Sequence, residues 1–169
     1  LELSIIATET ARPNVTYSQR ITTIAERISA RTTVAKSKVG VLLPLSGRDR
    51  VFGRRMRTAL QTAFKDSSIE LIFEDSKGDP AATSQAFDNL VLKHHVISVI
   101  GPFRSRVVPT AVAKADDYGV PTLTLSHADN QVHVSPWVFQ MGITPGQQAR
   151  GLAKIAFETL EYKSFALLH

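Results

Sequence analysis

From Lys38 onward, short and nearly continuous apolar runs alternate with longer segments whose apolar residues recur every three or four positions. KVGVLLPL (38–45) precedes a stripe of Phe52, Met56, Ala59, Leu60, Ala63 and Phe64. IELIFED (69–75) precedes Ala82, Ala86, Phe87, Leu90 and Val91, and VISVIG (96–101) precedes Val107, Val108, Ala111, Val112 and Ala115; a fourth run is VPTLTLS (120–126). The runs have the character of strands buried on both faces, and the stripes that of one helix face. Repetition of this kind predicts a parallel sheet covered by helices on both sides.

The fold class expected is therefore α/β, a doubly wound, flavodoxin- or Rossmann-like parallel sheet over residues 38–162. It should have at least four strands in the order 2-1-3-4, because right-handed crossovers leave few other arrangements. Helix starts agree: Asp79-Pro80 and Thr144-Pro145 each place a capping side chain before a proline at the first helical position. The second opens a helix striped by Ala149, Leu152, Ala153, Ala156, Phe157 and Leu160, after which KSFALLH (163–169) reads as one more strand. Residues 1–37 read as a preamble. LELSIIA has strand character, Tyr17, Ile21, Ile24, Ala25 and Ile28 fall at helical spacing, and the polar run ARTTVAKSK reads as a linker.

Composition narrows the function classes. With 169 residues, 43% hydrophobic and 21% charged, the chain can bury one sizeable core. The absence of cysteine removes disulfides, thiolate metal sites and cysteine nucleophiles. No apolar run reaches the roughly 20 residues needed to cross a bilayer. The first residue is Leu1 rather than Met, which reads as a processed or excised piece. Net charge is +5, and arginines 48, 50, 54, 55 and 57 form the densest cluster. No aromatic residues alternate with them as stacking platforms, so they read as a solvated basic helix face and no nucleic-acid partner is expected.

Ligands of open parallel sheets sit beyond the carboxyl ends of the strands, which selects the loops. PLSGRDRVFG (44–53) lacks the Lys-Ser/Thr of a phosphate-binding loop and the glycine triplet of a dinucleotide loop. Glu74, Asp75 and Asp79 have two readings, a paired-carboxylate or metal site and a hydrogen-bonded turn. Histidines 94, 95, 127, 133 and 169 lack metal-ligand spacing, and Ser105 and Ser126 lack a nucleophile elbow. Neither a cofactor nor an enzyme activity is expected. In GPFRSRV the helix beginning near Arg104 offers free N–H groups, a hydroxyl and two guanidiniums to an anion, although Ser105 also reads as a simple cap.

The blocks VGVLLPLSGRDRVFGRRMRTALQTAF, FEDSKGDPAATSQAFDNLVLKHHVISVIGPFRS, YGVPTLTLSHADN and WVFQMGITPGQQARGLAKIAFETLEYKSFALLH together resemble the type I periplasmic solute-binding proteins. The branch they are similar to holds the leucine/isoleucine/valine-binding proteins of ABC importers and the related lipoprotein activators of penicillin-binding proteins. The resemblance implies a two-lobed protein closing on its ligand, with residues 38–162 as the N-terminal lobe and 163–169 as the first strand of an absent second lobe. It implies a periplasmic location, with lipid anchoring in the full-length protein.

The same resemblance supplies candidate ligand-binding residues: Ser46 and Phe52 in the first loop, Arg104 and Ser105 in the Gly-Pro block, Ser126, His127 and Ala128 after the fourth strand, and Gln140. The family's usual Ser-Ala-Thr is replaced by Ser126-His127-Ala128, and its common Phe-Arg by Phe139-Gln140. Two functions follow as expectations. One is a non-enzymatic lobe that binds an amino acid or small carboxylate and works with an ABC permease. The other is an envelope interaction module that activates a penicillin-binding protein. Unpaired edges at LELSIIA and KSFALLH also suggest a dimer formed by strand exchange.

Overall fold

The computed structural model describes residues 15–128, 135–164 and 166. Helix α1 (Val15–Thr32) leads into strand β1 (Ala35–Leu43), which is followed by α2 (Arg50–Ala63) and β2 (Glu70–Asp75). Helix α3 (Pro80–Asp88) runs on through a π turn (Asn89–Lys93) to β3 (Val96–Ile100). A 3-10 turn (Ser105–Val107) then opens α4 (Val108–Tyr118), and β4 (Thr122–Thr124), β5 (Val138–Gln140) and α5 (Pro145–Lys154) with a second π turn (Ile155–Thr159) complete the order.

The sheet is parallel throughout, with the order β2-β1-β3-β4-β5. The expected order 2-1-3-4 is observed, extended by a fifth strand. Going from β1 to β2 the chain moves one way across the sheet, and from β2 to β3 and on to β4 it moves the other. Right-handed crossovers therefore set α2 on one face and α3 and α4 on the opposite face. The main core lies on the latter side: Leu42 and Val99 from the sheet meet Ala86, Phe87, Leu90 and Val91 after β2, and Val108, Ala111, Val112 and Ala115 after β3. These are the stripes expected for those two helices. Phe87 and Tyr118 stack there, with ring centres 6.5 Å apart.

Both proline-started helices have the expected caps. Asp79 accepts from the Ala82 N–H at 3.0 Å. Thr144 and Gln147 form a reciprocal capping box, at 3.2 Å to the Gln147 N–H and 3.0 Å from the Thr144 N–H to Gln147 Oε1.

Four readings of the sequence need correction. Strand β1 begins at Ala35, inside the run read as a linker, because Ala35 takes up the ladder with its N–H donating to the His95 carbonyl at 2.8 Å. Strand β5 was not foreseen, since three residues are too short to show a period. On α2 only Gly53 is buried; Met56, Leu60 and Phe64 are half-buried, while Phe52, Ala59 and Ala63 are exposed. On α5 the apolar stripe buries nothing, and Leu152, Phe157 and Leu160 are exposed because no described element packs against them. The strand readings of LELSIIA and, for the most part, KSFALLH lie outside the described residues; Lys163, Ser164 and Ala166 are irregular.

Candidate ligand cleft at the strand ends

All strands point the same way, so the loops after β1, β2, β3 and β4 and the end of β5 meet along one edge. Every candidate residue lies on this edge, in two groups.

The first group forms around the loop that follows β1. Asp75, the last residue of β2, accepts through Oδ1 from the N–H groups of Leu45 (2.8 Å), Ser46 (3.2 Å) and Lys77 (2.8 Å). Burial pushes its carboxyl up, but hydrogen bonds from the Ser46 side chain and from these N–H groups outweigh it and hold the group below the ordinary aspartate value. Ser46 is thus engaged in fixing its own loop. Glu74 lies 4.0 Å from His94, and Asp79 caps α3, so this acidic segment forms a hydrogen-bonded turn. Among the described residues no cluster of histidine, aspartate or glutamate could hold a metal ion.

Asp49 is buried at the start of α2 and pairs with Arg104, the residue that precedes the 3-10 turn. The hydrogen bond from Arg104 holds its carboxyl below the usual range; burial opposes this, and the charges of Arg104, Arg48 and Arg106 reinforce it. The Arg104 guanidinium lies 5.8 Å from the centre of the Phe52 ring and 5.4 Å from that of Phe103, and the two rings stack at 6.1 Å. Phe52 remains 50% exposed. Arg106 donates from Nε to the Gly78 carbonyl at 2.5 Å, joining the start of the helical segment to the turn after β2. Arg48, Asp49, Arg104 and Arg106 line a cleft of about 220 Å³. Ser105 is exposed at the first residue of the 3-10 turn.

The second group follows β4. Ser126 is buried, and its hydroxyl accepts from the Ala128 N–H at 3.2 Å. Gln140 donates both amide hydrogens inward, to the carbonyls of Ser126 (3.0 Å) and Ala128 (3.1 Å). His127 is exposed, with Nδ1 3.4 Å from the Ile143 carbonyl. The Pro102 carbonyl ties the two groups together, accepting from the Leu125 N–H at 3.0 Å and the Thr124 hydroxyl at 3.2 Å.

Sequence reasoning assigned Arg104 to a ligand anion and Gln140 to ligand contact, whereas the structure pairs Arg104 with Asp49 and commits the Gln140 amide to the loop. It missed Asp49 and Arg48 as cleft residues, and Phe103 as the ring stacked on Phe52 beside them, whereas Arg106 is one of the two guanidiniums that GPFRSRV offers to an anion. The available signal was a single aspartate set among arginines, beside a Phe-Arg pair in the Gly-Pro block. A larger groove, about 410 Å³, lies between α1 and α4 against Arg27 and Asp117, at the edge where the strands begin and away from these loops.

The profile of the periplasmic binding protein family matches residues 36–169. No curated protein matches the chain by sequence. Among solved structures, the substrate-binding protein LivJ of a branched-chain amino acid transporter from Streptococcus pneumoniae, in complex with isoleucine, is 23% identical with a TM-score of 0.63, over 75% of this chain and 39% of that one. A solute-binding protein of an ABC transporter from Rhodopseudomonas palustris, in complex with 3,4-dihydroxybenzoic acid, is 20% identical with a TM-score of 0.64, over 73% and 36%. An ABC transporter substrate-binding protein from Sphaerobacter thermophilus is 26% identical with a TM-score of 0.65, over 76% and 38%. The chain thus spans less than two fifths of the length of each of these proteins. With its parallel sheet, its loops gathered at one edge and the profile running from β1 to the last residue, the chain belongs to the periplasmic binding protein family.

Proposed function

We propose that this chain is a solute-binding lobe, without enzymatic activity, whose strand-end cleft takes a small anionic ligand such as an amino acid or small carboxylate for ABC-type uptake. The observation that carries this reading is the charge of the cleft: three arginines, Arg48, Arg104 and Arg106, surround one carboxylate, Asp49. A ligand carboxylate entering there competes with Asp49 for Arg104, and charge-assisted hydrogen bonds to a guanidinium are among the stronger ones. Ser105 offers its hydroxyl from the exposed start of the 3-10 turn. Phe52 presents a half-exposed ring beside Arg104, and Ser46, Ser126, His127 and Ala128 stand on the same strand-end edge, where Gln140 holds the loop after β4 in place. The ligands named for the two solved relatives, isoleucine and 3,4-dihydroxybenzoic acid, are both carboxylic acids.

Calorimetric titration of the full-length protein with amino acids and small carboxylates tests the reading. Ser105→Ala should lose about 1 to 3 kcal/mol of affinity, the usual penalty for deleting a hydrogen bond to a charged group. If the full-length protein binds none of these compounds, the reading fails.

A second reading, an envelope interaction module that activates a penicillin-binding protein, draws support from the same loops. Arg104, Ser126, Gln140 and Ser46 all have partners within the lobe, as expected of a scaffold whose cleft no longer needs a solute. Addition of the full-length protein, lipid-anchored or not, to a penicillin-binding protein should then raise peptidoglycan synthesis. An unchanged rate counts against it.

A further inference from the structure

Helix α2 carries a stripe of positive charge that the cleft does not use. Arg50, Arg54 and Arg57 stand at i, i+4 and i+7, one above another on a single face, with Arg55 to the side, and all four are exposed. The sequence has no acidic residue between Asp49 and Asp66, and Asp49 is engaged by Arg104. None of the four arginines belongs to an ion pair among the described residues; Arg57 lies over the Phe73 ring, 4.8 Å from its centre. Like charges at this spacing repel one another and weaken the helix that bears them, a penalty that carboxylates laid along the stripe would reverse.

Three further observations narrow the partner. The positive residues of the stripe are all arginine, whose planar fork pairs with carboxylates in bidentate fashion and gives up water more readily than an ammonium does. Val51, 52% exposed, lies three and four residues before Arg54 and Arg55 and sets an apolar contact within the charged face. Finally, the stripe from Arg50 to Arg57 runs about 10 Å along the helix axis, two turns, a length that suits a segment laid along it.

We infer that this face of α2 docks an acidic segment of a partner protein, with carboxylates spaced over two helical turns and an apolar side chain against Val51. The inference is independent of what the cleft holds. Fluorescence anisotropy of the full-length protein tests it, using a labelled synthetic helical peptide with glutamates at i, i+4 and i+7 and one leucine. The comparison probes are the same peptide with glutamine for glutamate, phosphatidylglycerol vesicles and a single-stranded oligonucleotide. The glutamate peptide should bind and weaken as salt is raised, while the glutamine peptide should not bind. Combined Arg50→Gln, Arg54→Gln and Arg57→Gln should weaken binding roughly tenfold or more, and Lys154→Gln on α5 should leave it unchanged. The thermal midpoint of the triple variant should equal or exceed that of the parent, and Arg54→Gln alone should give a smaller loss in the same direction. Equal binding by the glutamine peptide or the triple variant overturns the inference. So does tighter binding to the vesicles or the oligonucleotide, which assigns the stripe to lipid or nucleic acid instead.

Discussion

The guanidinium of Arg104 pairs with the carboxylate of Asp49, 55 residues earlier in the chain, and also lies over the rings of both Phe52 and Phe103. One side chain thereby links the start of α2 to the turn that opens α4, and it does so where the strand-end cleft lies. On the proposed function, a ligand carboxylate binds by displacing Asp49 from Arg104.

Replacing that carboxylate should release Arg104. Asp49→Asn is expected to tighten binding of small carboxylates to the full-length protein, as read by calorimetry. It should also change the acid limb of stability. The folded-state pKa of Asp49 lies below the ordinary 3.8, so its contribution is present above that value and is lost as pH falls through the folded pKa. In the variant this part of the acid destabilisation should be missing when denaturation midpoints are compared between neutral pH and pH below 3.8.

Gln140 donates to the Ser126 and Ala128 carbonyls, and a Leu side chain could do neither. Gln140→Leu should cost about 1 to 3 kcal/mol in chemical denaturation, because the carbonyls lose their donors at a part-buried site. The segment after β4 should also become more sensitive to limited proteolysis. An unchanged midpoint would show that water replaces the amide without loss.

Two glycines in helices should respond in opposite directions. At Gly53 a methyl group would stand 2.0 Å from the Pro44 carbonyl oxygen, which is backbone and cannot swing away. Gly53→Ala should therefore destabilise by about 3 kcal/mol as α2 is pushed off the end of β1. At Gly151, on α5, a methyl group meets nothing within 4 Å. Gly151→Ala should stabilise by roughly 0.5 to 1 kcal/mol through helix propensity. Urea denaturation of both variants gives the comparison.

Tyr118 donates to Asp88 Oδ1 at 2.7 Å, and the same carboxylate accepts from Lys114 Nζ at 2.7 and 2.8 Å. Burial, followed by the hydrogen bond and the charge of Asp88, raises the Tyr118 pKa well above its ordinary 10.0. A raised value means that stability is whole below 10.0 and falls above it, where the unfolded chain ionises first. Tyr118→Phe should cost about 1 kcal/mol at neutral pH and should decline less steeply than the parent above pH 10.0. Parallel alkaline slopes for the two proteins would contradict this assignment.

Local pattern was enough for the order of the elements from β1 to β4, the parallel α/β class and the two caps that stand before a proline, because each depends on residues within a turn or two of one another. The apolar runs after Lys38 and the stripes of α3 and α4 could be read for the same reason, and the order of β2, β1, β3 and β4 followed from crossover handedness. Tertiary structure decided what those signals do not contain. The three residues of β5 become a strand only because Thr122–Thr124 lies beside them as a template. The stripe of α5 is helical as its spacing implies, yet exposed, since burial requires an opposing surface and periodicity names none. Arg104 stood out at the start of the helical segment after β3, and Gln140 through the family resemblance; both lie on the strand-end edge. Their partners, Asp49 and the carbonyls of Ser126 and Ala128, came from loops distant in sequence, and charge and hydrogen-bond satisfaction at short range settled those pairings only once folding had brought the loops together.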